Sequence, residues 1–227
     1  LEYKAPRIGH RTRGKGADAS GNVGDNEAIA FKVLLTGDED SPMNFGFLLA
    51  RQGAFYSPAH KHNFDQVRYA YRGDFSMGRN STLREGQLGY FPEGTPYGPQ
   101  DDPPGERELL VLQFGGTSGQ GYMSQAQMRA AADDLRTVGH FEDGRFFREH
   151  GEGKSGLDGF EALWEHHNGR PLEYPAPRYE TPILINPNNF QWLPVNTEGS
   201  IRSKTLAVFT ERQTRAEMLK KPALPIA

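Results

Sequence analysis

The feature that most constrains the fold lies in residues 53 to 101, where two histidines stand one residue apart on a β-patterned segment. Side chains alternate between the two faces of a strand, so the imidazoles of His60 and His62 are expected on the same face. Gln66 follows at the start of the run QVRYAY, and a segment rich in glycine and proline then carries Tyr97. These four side chains can converge on one metal ion inside a small barrel.

The spacing of this stretch resembles the two sequence motifs of the cupin superfamily (RmlC-like jelly rolls). In the first motif His60 and His62 match, and Gln66 stands where the family has Glu. In the second motif Tyr97 stands where the family has His. The other positions are these: Gly73, Gly86, Pro92 and Gly94 match, Asp101 replaces the family's Asn, and Gly53 lies one residue upstream of the expected glycine.

The resemblance implies a mainly β fold, a cupin-type double-stranded β-helix or jelly-roll barrel, here with two short helices and extra C-terminal strands. The expected division is a polar N-terminal arm over 1–26, a cupin barrel over 27–122, a helical connector over 123–180 and C-terminal strands over 181–227. The last segment is either a partial second cupin or a set of strands that extends the edge of the barrel or of a partner's barrel. Because an unpaired strand edge invites association, we expect these strands to be paired.

Two helices are expected in the connector. Ser124 and Gln127 form a capping-box pattern ahead of a run of good helix formers, and Gly139 is placed to end that helix. A second helix is predicted from Asp158, which caps it, to His167. Its apolar residues fall on one face at helical spacing, and Trp164 is interpreted as a packing residue.

The resemblance implies a divalent metal held by His60, His62, Gln66 and Tyr97. Gln in place of Glu removes the usual anionic ligand, and a Tyr97 phenolate can restore it because a bound cation favours the deprotonated form. Iron is the preferred metal, and copper, nickel, manganese or zinc also accept such ligands. The alternative is a cupin that has lost its metal and uses the same residues to hydrogen-bond an organic ligand.

Strand alternation predicts Arg68 on the same face as Gln66 and Ala70, beside the site. The opposite face is then expected to carry Val67, Tyr69 and Tyr71. A buried cation needs a counter-charge. Either an anionic substrate or a barrel acid, Asp65 or Glu93, can supply it.

The resemblance makes a metal-dependent oxygenase or dioxygenase acting on a small aromatic or enol-containing acid the first expectation. A second alternative is a metal-dependent lyase, cyclase or isomerase that uses Tyr97 as acid or base. A third is a non-catalytic cupin that binds a small molecule. Tyr97 and Arg68 are the candidate catalytic residues.

The amino-acid composition limits the kinds of molecule that the protein is expected to bind. The 227 residues carry a net charge of −3 and no basic block, which argues against nucleic acid. The absence of cysteine excludes disulfides and thiolate chemistry and fits a cytoplasmic protein. No apolar run is long enough to span a membrane. We expect a small-molecule substrate, which is an anion if it pairs with Arg68, and a homodimer formed through the C-terminal strands.

Overall fold

The computed structural model describes residues 29–41, 44–57, 59–142, 145–149, 156–210 and 213–221, so the N-terminal arm predicted over 1–26 lies outside the described residues. The strands are β1 (Ile29–Thr36), β2 (Phe45–Gln52), β3 (Phe55–Ser57), β4 (Phe64–Arg72), β5 (Phe75–Gly78), β6 (Ser81–Leu83), β7 (Leu88–Phe91), β8 (Gln100–Asp102), β9 (Arg107–Gly115), β10 (Gly139–Glu142), β11 (Arg145–Arg148), β12 (Leu157–Asp158), β13 (Ile183–Ile185), β14 (Leu193–Pro194), β15 (Arg202–Phe209) and β16 (Thr214–Lys220). The helices are α1 (Gln125–Leu135) and α2 (Gly159–Asn168), with a 3-10 turn over Pro187–Asn189.

Six antiparallel strands form the main sheet in the order β1-β2-β9-β4-β7-β13. The near-continuous apolar run in β9 predicts a buried strand, and in the structure β9 lies between β2 and β4. The main core packs between this sheet and two smaller strand pairs, β3 with β8 and β5 with β6. The expectation of a mainly β fold is therefore confirmed, with antiparallel strands in the main sheet.

Alternation along β4 places the site residues as predicted. Gln66 and Ala70 are fully buried and Arg68 is 8% exposed, whereas Tyr71 on the other face is 56% exposed. The remaining outward side chains of β4 are covered by the C-terminal strands. The alternation of a strand thus sends one set of β4 side chains into the barrel and the other set against a second layer.

The first predicted helix forms, with one correction. The Gln127 backbone N–H donates to Ser124 Oγ at 3.0 Å and the Ser124 backbone N–H donates to Gln127 Oε1 at 2.9 Å, which is a complete capping box. The expectation that Gly139 ends the helix is wrong, because α1 ends at Leu135 and Gly139 begins β10. A side chain at Gly139 would overlap the Phe147 carbonyl oxygen of β11, so the glycine serves close strand pairing instead.

The second predicted helix is confirmed as α2. The Asp158 carboxylate accepts hydrogen bonds from the backbone N–H groups of Phe160 and Glu161, at 3.0 and 3.1 Å. Gly169 adopts a left-handed conformation and ends the helix. Trp164 is fully buried in a second core that joins α1 and α2, as the packing interpretation expected. The small sheet β10-β11-β12 beside these helices was not predicted.

The C-terminal strands cover the outside of the main sheet. β13 extends that sheet by pairing with β7, and β14, β15 and β16 form a separate antiparallel sheet that includes the predicted hairpin. Leu206 of this sheet joins a cluster that includes Val67 and Tyr69 on the outer face of β4. Among the described residues, no helix is both long enough and apolar enough to cross a bilayer.

Two motif glycines provide a matched test of the fold. Gly86 and Gly94 both have positive φ, +80° and +77°, but a Cβ at Gly94 would also overlap the Pro175 carbonyl oxygen, whereas a Cβ at Gly86 meets nothing within 4 Å. Gly86→Ala is expected to lower the free energy of unfolding by about 1–2 kcal/mol, the cost of a left-handed alanine. Gly94→Ala adds a backbone clash and should cost clearly more. Urea unfolding of both variants measures the difference, and equal losses would show that the Pro175 segment does not press on this turn.

Candidate functional site

Backbone hydrogen bonds bring the two motif segments side by side. His60 N–H donates to the Tyr97 carbonyl and Tyr97 N–H donates to the His60 carbonyl, both at 3.0 Å. The Gly94 N–H donates to the His62 carbonyl at 2.7 Å. This pairing joins residues 37 positions apart in the chain and places both imidazoles against the ring of Tyr97.

The Tyr97 hydroxyl is the centre of the site. Its Oη lies 2.8 Å from His60 Nε2 and 2.9 Å from His62 Nε2, and it accepts a short hydrogen bond from the Arg68 guanidinium. Tyr97 is only 5% exposed. The other ring nitrogen of His60, Nδ1, lies 3.2 Å from Ser57 Oγ, which fixes the plane of that imidazole.

Counting hydrogens assigns complementary roles to the two imidazoles. A phenol oxygen donates one hydrogen bond and accepts up to two. Arg68 can only donate, so Tyr97 accepts from it. The phenol hydrogen then goes to one imidazole Nε2, and the other imidazole donates its Nε2–H to Tyr97. A proton can therefore pass between Tyr97 and His60 or His62 without movement of heavy atoms.

Gln66 and Arg68 form the floor of the site on β4. Arg68 Nε–H donates to Gln66 Oε1 at 2.8 Å, while a terminal nitrogen of the same guanidinium reaches Tyr97 Oη. The Arg68 Cζ lies 4.5 Å from the centre of the Phe91 ring and 4.8 Å from that of Tyr97. These aromatic faces stabilise a desolvated cation electrostatically.

The alternative in which Asp65 or Glu93 neutralises Arg68 is wrong. Asp65 accepts hydrogen bonds of 2.8 Å from the Tyr90 hydroxyl and the Glu93 backbone N–H, and the Glu93 carboxylate accepts from Ser118. None of the ion pairs in the described part of the chain involves Arg68. The physical reason is strand parity, because Asp65 lies on the opposite face of β4 from Gln66 and Arg68.

Burial raises the pKa of Tyr97 above its usual value near 10, because the phenolate would lose its hydration. The charge and the hydrogen bond of Arg68 act in the opposite direction but do not cancel the effect of burial. Tyr97 is therefore a phenol at neutral pH in the metal-free protein.

An aromatic wall, made of Phe64, Tyr122 and Phe160, lies next to His62. The ring centres of His62 and Phe64 are 4.7 Å apart, those of Phe64 and Tyr122 are 5.3 Å apart, and Phe160 of α2 lies 6.4 Å from His62. The helical pattern of α2 predicts that Phe160 packs within the helix pair, and it does not predict this contact with His62. No local signal could have found it, because Phe160 is 98 positions away from His62 in the chain.

The donor atoms of His60, His62, Gln66 and Tyr97 can be compared with the geometry that a metal ion requires. Adjacent ligands of an octahedral ion with bonds of about 2.0–2.1 Å lie about 2.9 Å apart, and the two distances from Tyr97 Oη match this separation. The carbonyl oxygen of Gln66 already accepts from Arg68, so one lone pair is left for an ion. No cluster of three or more His, Asp or Glu side chains among the described residues could hold a metal. The residues therefore fit an ion only as a mixed set that includes the phenol.

No protein-family model matches the sequence, and no curated protein matches it. The structure is similar to the polyketide cyclase RemF from Streptomyces resistomycificus, at 19% identity and a TM-score of 0.33 over 38% of this chain and 65% of that one. It is similar to a candidate dioxygenase from Nostoc punctiforme PCC 73102, at 13% identity and a TM-score of 0.45 over 93% of this chain and 57% of that one. An RmlC-like cupin protein from Ralstonia eutropha JMP134 matches at 15% identity and a TM-score of 0.35, over 41% and 60% of the two chains. The chain thus spans less than two thirds of the length of each of these proteins.

The structure brings all five predicted site residues into one cluster. Tyr97 contacts His60, His62 and Arg68 directly, and Gln66 contacts Arg68. Their roles as metal ligands or catalysts remain predictions.

The raised pKa of Tyr97 gives a test of its burial. Above pH 10 the unfolded chain releases this proton while the folded protein keeps it, so the stability due to Tyr97 is present below pH 10 and is lost as the pH rises toward the folded-state pKa. The free energy of unfolding of the chelator-treated wild type should fall relative to that of Tyr97→Phe as the pH rises above 10, with a limiting slope of about 1.4 kcal/mol per pH unit. Urea unfolding between pH 8 and pH 11 measures this, and a constant difference between the two proteins would contradict it.

Proposed function

We propose that the chain is a cupin-fold enzyme that transfers a proton on a small, oxygen-bearing acid, as lyases, cyclases and isomerases do. The observation that carries the proposal is the buried Tyr97 hydroxyl, which lies within hydrogen-bonding distance of two imidazole nitrogens and a guanidinium. A phenol with three such partners has both a route for its proton and a cation that stabilises its anion.

Each residue has a distinct role in this reaction. Tyr97 gives a proton to the substrate or, as the phenolate, takes one from it. His60 or His62 accepts or returns that proton, because an imidazole changes its charge near neutral pH in general. The Arg68 guanidinium donates a hydrogen bond to Tyr97 Oη, and this bond stabilises the phenolate. Proton transfer by side chains positioned in this way typically contributes about 10²- to 10⁴-fold to the rate.

The surroundings support a planar, acidic substrate. The aromatic wall offers apolar faces beside His62, and such faces favour a flat ligand. Arg68 offers a buried positive charge that attracts an anion. A small aromatic or enol-containing acid satisfies both features.

A metal ion is the alternative occupant of the same donor atoms. His60, His62 and Tyr97 would hold it, and Gln66 would contribute the remaining lone pair of its carbonyl oxygen. Such an ion polarises a substrate oxygen or activates dioxygen. Iron remains the preferred ion, and copper, nickel, manganese and zinc accept the same donors.

Oxygenase chemistry is the second candidate function, and the separation of the donors is compatible with it. The distances of 2.8 and 2.9 Å around Tyr97 Oη suit neighbouring ligands of one ion as well as they suit hydrogen bonds. In this case Tyr97 is a ligand and not a proton carrier.

A homodimer and a cytoplasmic location also remain predictions.

Exchange of carbon-bound hydrogen tests the proton-transfer proposal without knowledge of the product. A panel of small enolisable carboxylic acids is incubated with the protein in D2O, and NMR measures deuterium uptake at carbon. At least one acid should exchange faster with the wild type, and Tyr97→Phe should lower that rate by about 10²- to 10⁴-fold. Tyr71→Phe, on the exposed face of the same strand β4, serves as the control and should leave the rate unchanged. Exchange that persists in Tyr97→Phe would remove the role assigned to Tyr97.

Metal content and oxygen consumption separate the two candidates. An oxygenase should be purified, without chelator, with an ion in near-stoichiometric amount, and should consume dioxygen with a member of the same panel. A ferric or cupric ion held by Tyr97 should show a tyrosinate absorption band, which Tyr97→Phe abolishes. Deuterium exchange without oxygen consumption would favour the proton-transfer enzyme, and the reverse result would favour the oxygenase.

A further inference from the structure

The amide of Gln66 leaves its N–H donors unused in the interior. Arg68 Nε carries a hydrogen and can only donate, so the Gln66 atom 2.8 Å away from it has to be the carbonyl oxygen. The amide nitrogen is bonded to the same carbon and therefore lies beside Arg68 as well. That nitrogen is fully buried and makes no hydrogen bond of ordinary geometry, and its nearness to the Tyr97 hydroxyl has only a minor lowering effect on the pKa of that phenol. Buried amide donors are nearly always paired in folded proteins, so this one lacks an acceptor that a ligand can supply.

The guanidinium of Arg68 also has donors to spare. It carries five N–H groups, and only two of them reach an oxygen, one on Gln66 and one on Tyr97. A terminal nitrogen lies 3.9 Å from Met77 Sδ, which is a weak acceptor. No carboxylate neutralises the cation among the residues that the structure describes. A desolvated positive charge and an unused amide donor are thus adjacent in one interior site.

We propose that Gln66 Nε2 and the Arg68 guanidinium form an oxyanion subsite that binds the carboxylate or enolate oxygen of the substrate. The inference rests on the proposed function and specifies its substrate as an anion. The donors of both residues are neutral or positive and none accepts, so a negatively charged oxygen satisfies them together. Held there, the ligand lies next to the Tyr97 hydroxyl, because Arg68 bonds both Gln66 and Tyr97.

Gln66 therefore has a different role from the one that its position in the motif predicts. A glutamate at this position would form an ion pair with Arg68 and cancel the charge that the ligand needs. Glutamine keeps the carbonyl that orients Arg68 and adds a second donor. Gln66→Glu, which changes little in size, and Gln66→Met, which removes both polar atoms, separate these contributions.

Binding of acids and their amides tests the subsite. Acetate and benzoate are compared with acetamide and benzamide, which have nearly the same shape without the charge, by calorimetric titration of the full chain after treatment with chelator. At least one acid should bind at least tenfold more tightly than its amide. Gln66→Met should weaken that acid by about 10- to 100-fold, as expected for the loss of a buried hydrogen bond to a charged group, and Gln66→Glu and Arg68→Met should weaken it further.

Two controls keep the result interpretable. Lys204→Met removes a buried cation of the C-terminal sheet, whose Nζ donates to the Pro187 carbonyl at 2.7 Å, and should leave acid binding unchanged. Each variant is compared with the wild type by its thermal midpoint, and the side-chain NH2 resonances of Gln66 should shift when the acid is added to the wild type. Equal binding of an acid and its amide, or unchanged acid binding in a folded Gln66→Met, would overturn the proposal.

The proposed function and the subsite can fail separately. Tyr97→Phe removes the proton carrier but leaves the donors of Gln66 and Arg68 in place, so it should still bind the acid. Acid binding without any deuterium exchange in the wild type would refute the enzyme and support the subsite. Deuterium exchange with no preference for the acid over its amide would support the enzyme and refute the subsite.

Discussion

The reciprocal backbone hydrogen bonds between His60 and Tyr97 are the interaction on which the site depends. The parts of the two motifs that carry His60, His62 and Tyr97, residues 59–63 and 92–99, lie outside the strands. The two bonds pair the segments in an antiparallel bridge, and the hydrogen bond from the Gly94 N–H to the His62 carbonyl extends this pairing. Because the backbone fixes both segments, the Tyr97 hydroxyl is held between the two imidazoles.

Arg68 contacts both residues at which the sequence departs from the cupin motifs, Gln66 and Tyr97. Burying a guanidinium without an acidic partner costs free energy. In this protein the guanidinium donates hydrogen bonds to the Gln66 carbonyl and the Tyr97 oxygen, and it lies over two aromatic rings. Histidine at 97 could not place an oxygen on the guanidinium, and glutamate at 66 would neutralise it. Gln66, Arg68 and Tyr97 therefore function as a set, and the positive charge stays available inside the barrel.

Much of the fold could be predicted because its signals are local. The buried strand β9, the capping box of Ser124 and the inward direction of Arg68 each follow from a few neighbouring residues. The predictions that failed concern residues whose contacts depend on a segment far away in the chain. Gly139 was expected to end a helix, but it serves the pairing of β10 with β11. Phe160 carries an ordinary helical pattern, and only the packing of α2 against the barrel brings it to His62.

The sequence alone determined which residue types were available for the site, because motif spacing brings in His60 and His62 and the alternation along β4 places Gln66 and Arg68 on one face. Tertiary structure decided what those residues do to each other. Whether Arg68 meets Asp65 or Tyr97, and whether the Gln66 carbonyl faces outward or faces Arg68, depends on segments that are far apart in the chain. A spacing rule describes directions along one strand, whereas a hydrogen bond requires two atoms within about 3 Å, and only the folded chain sets that distance.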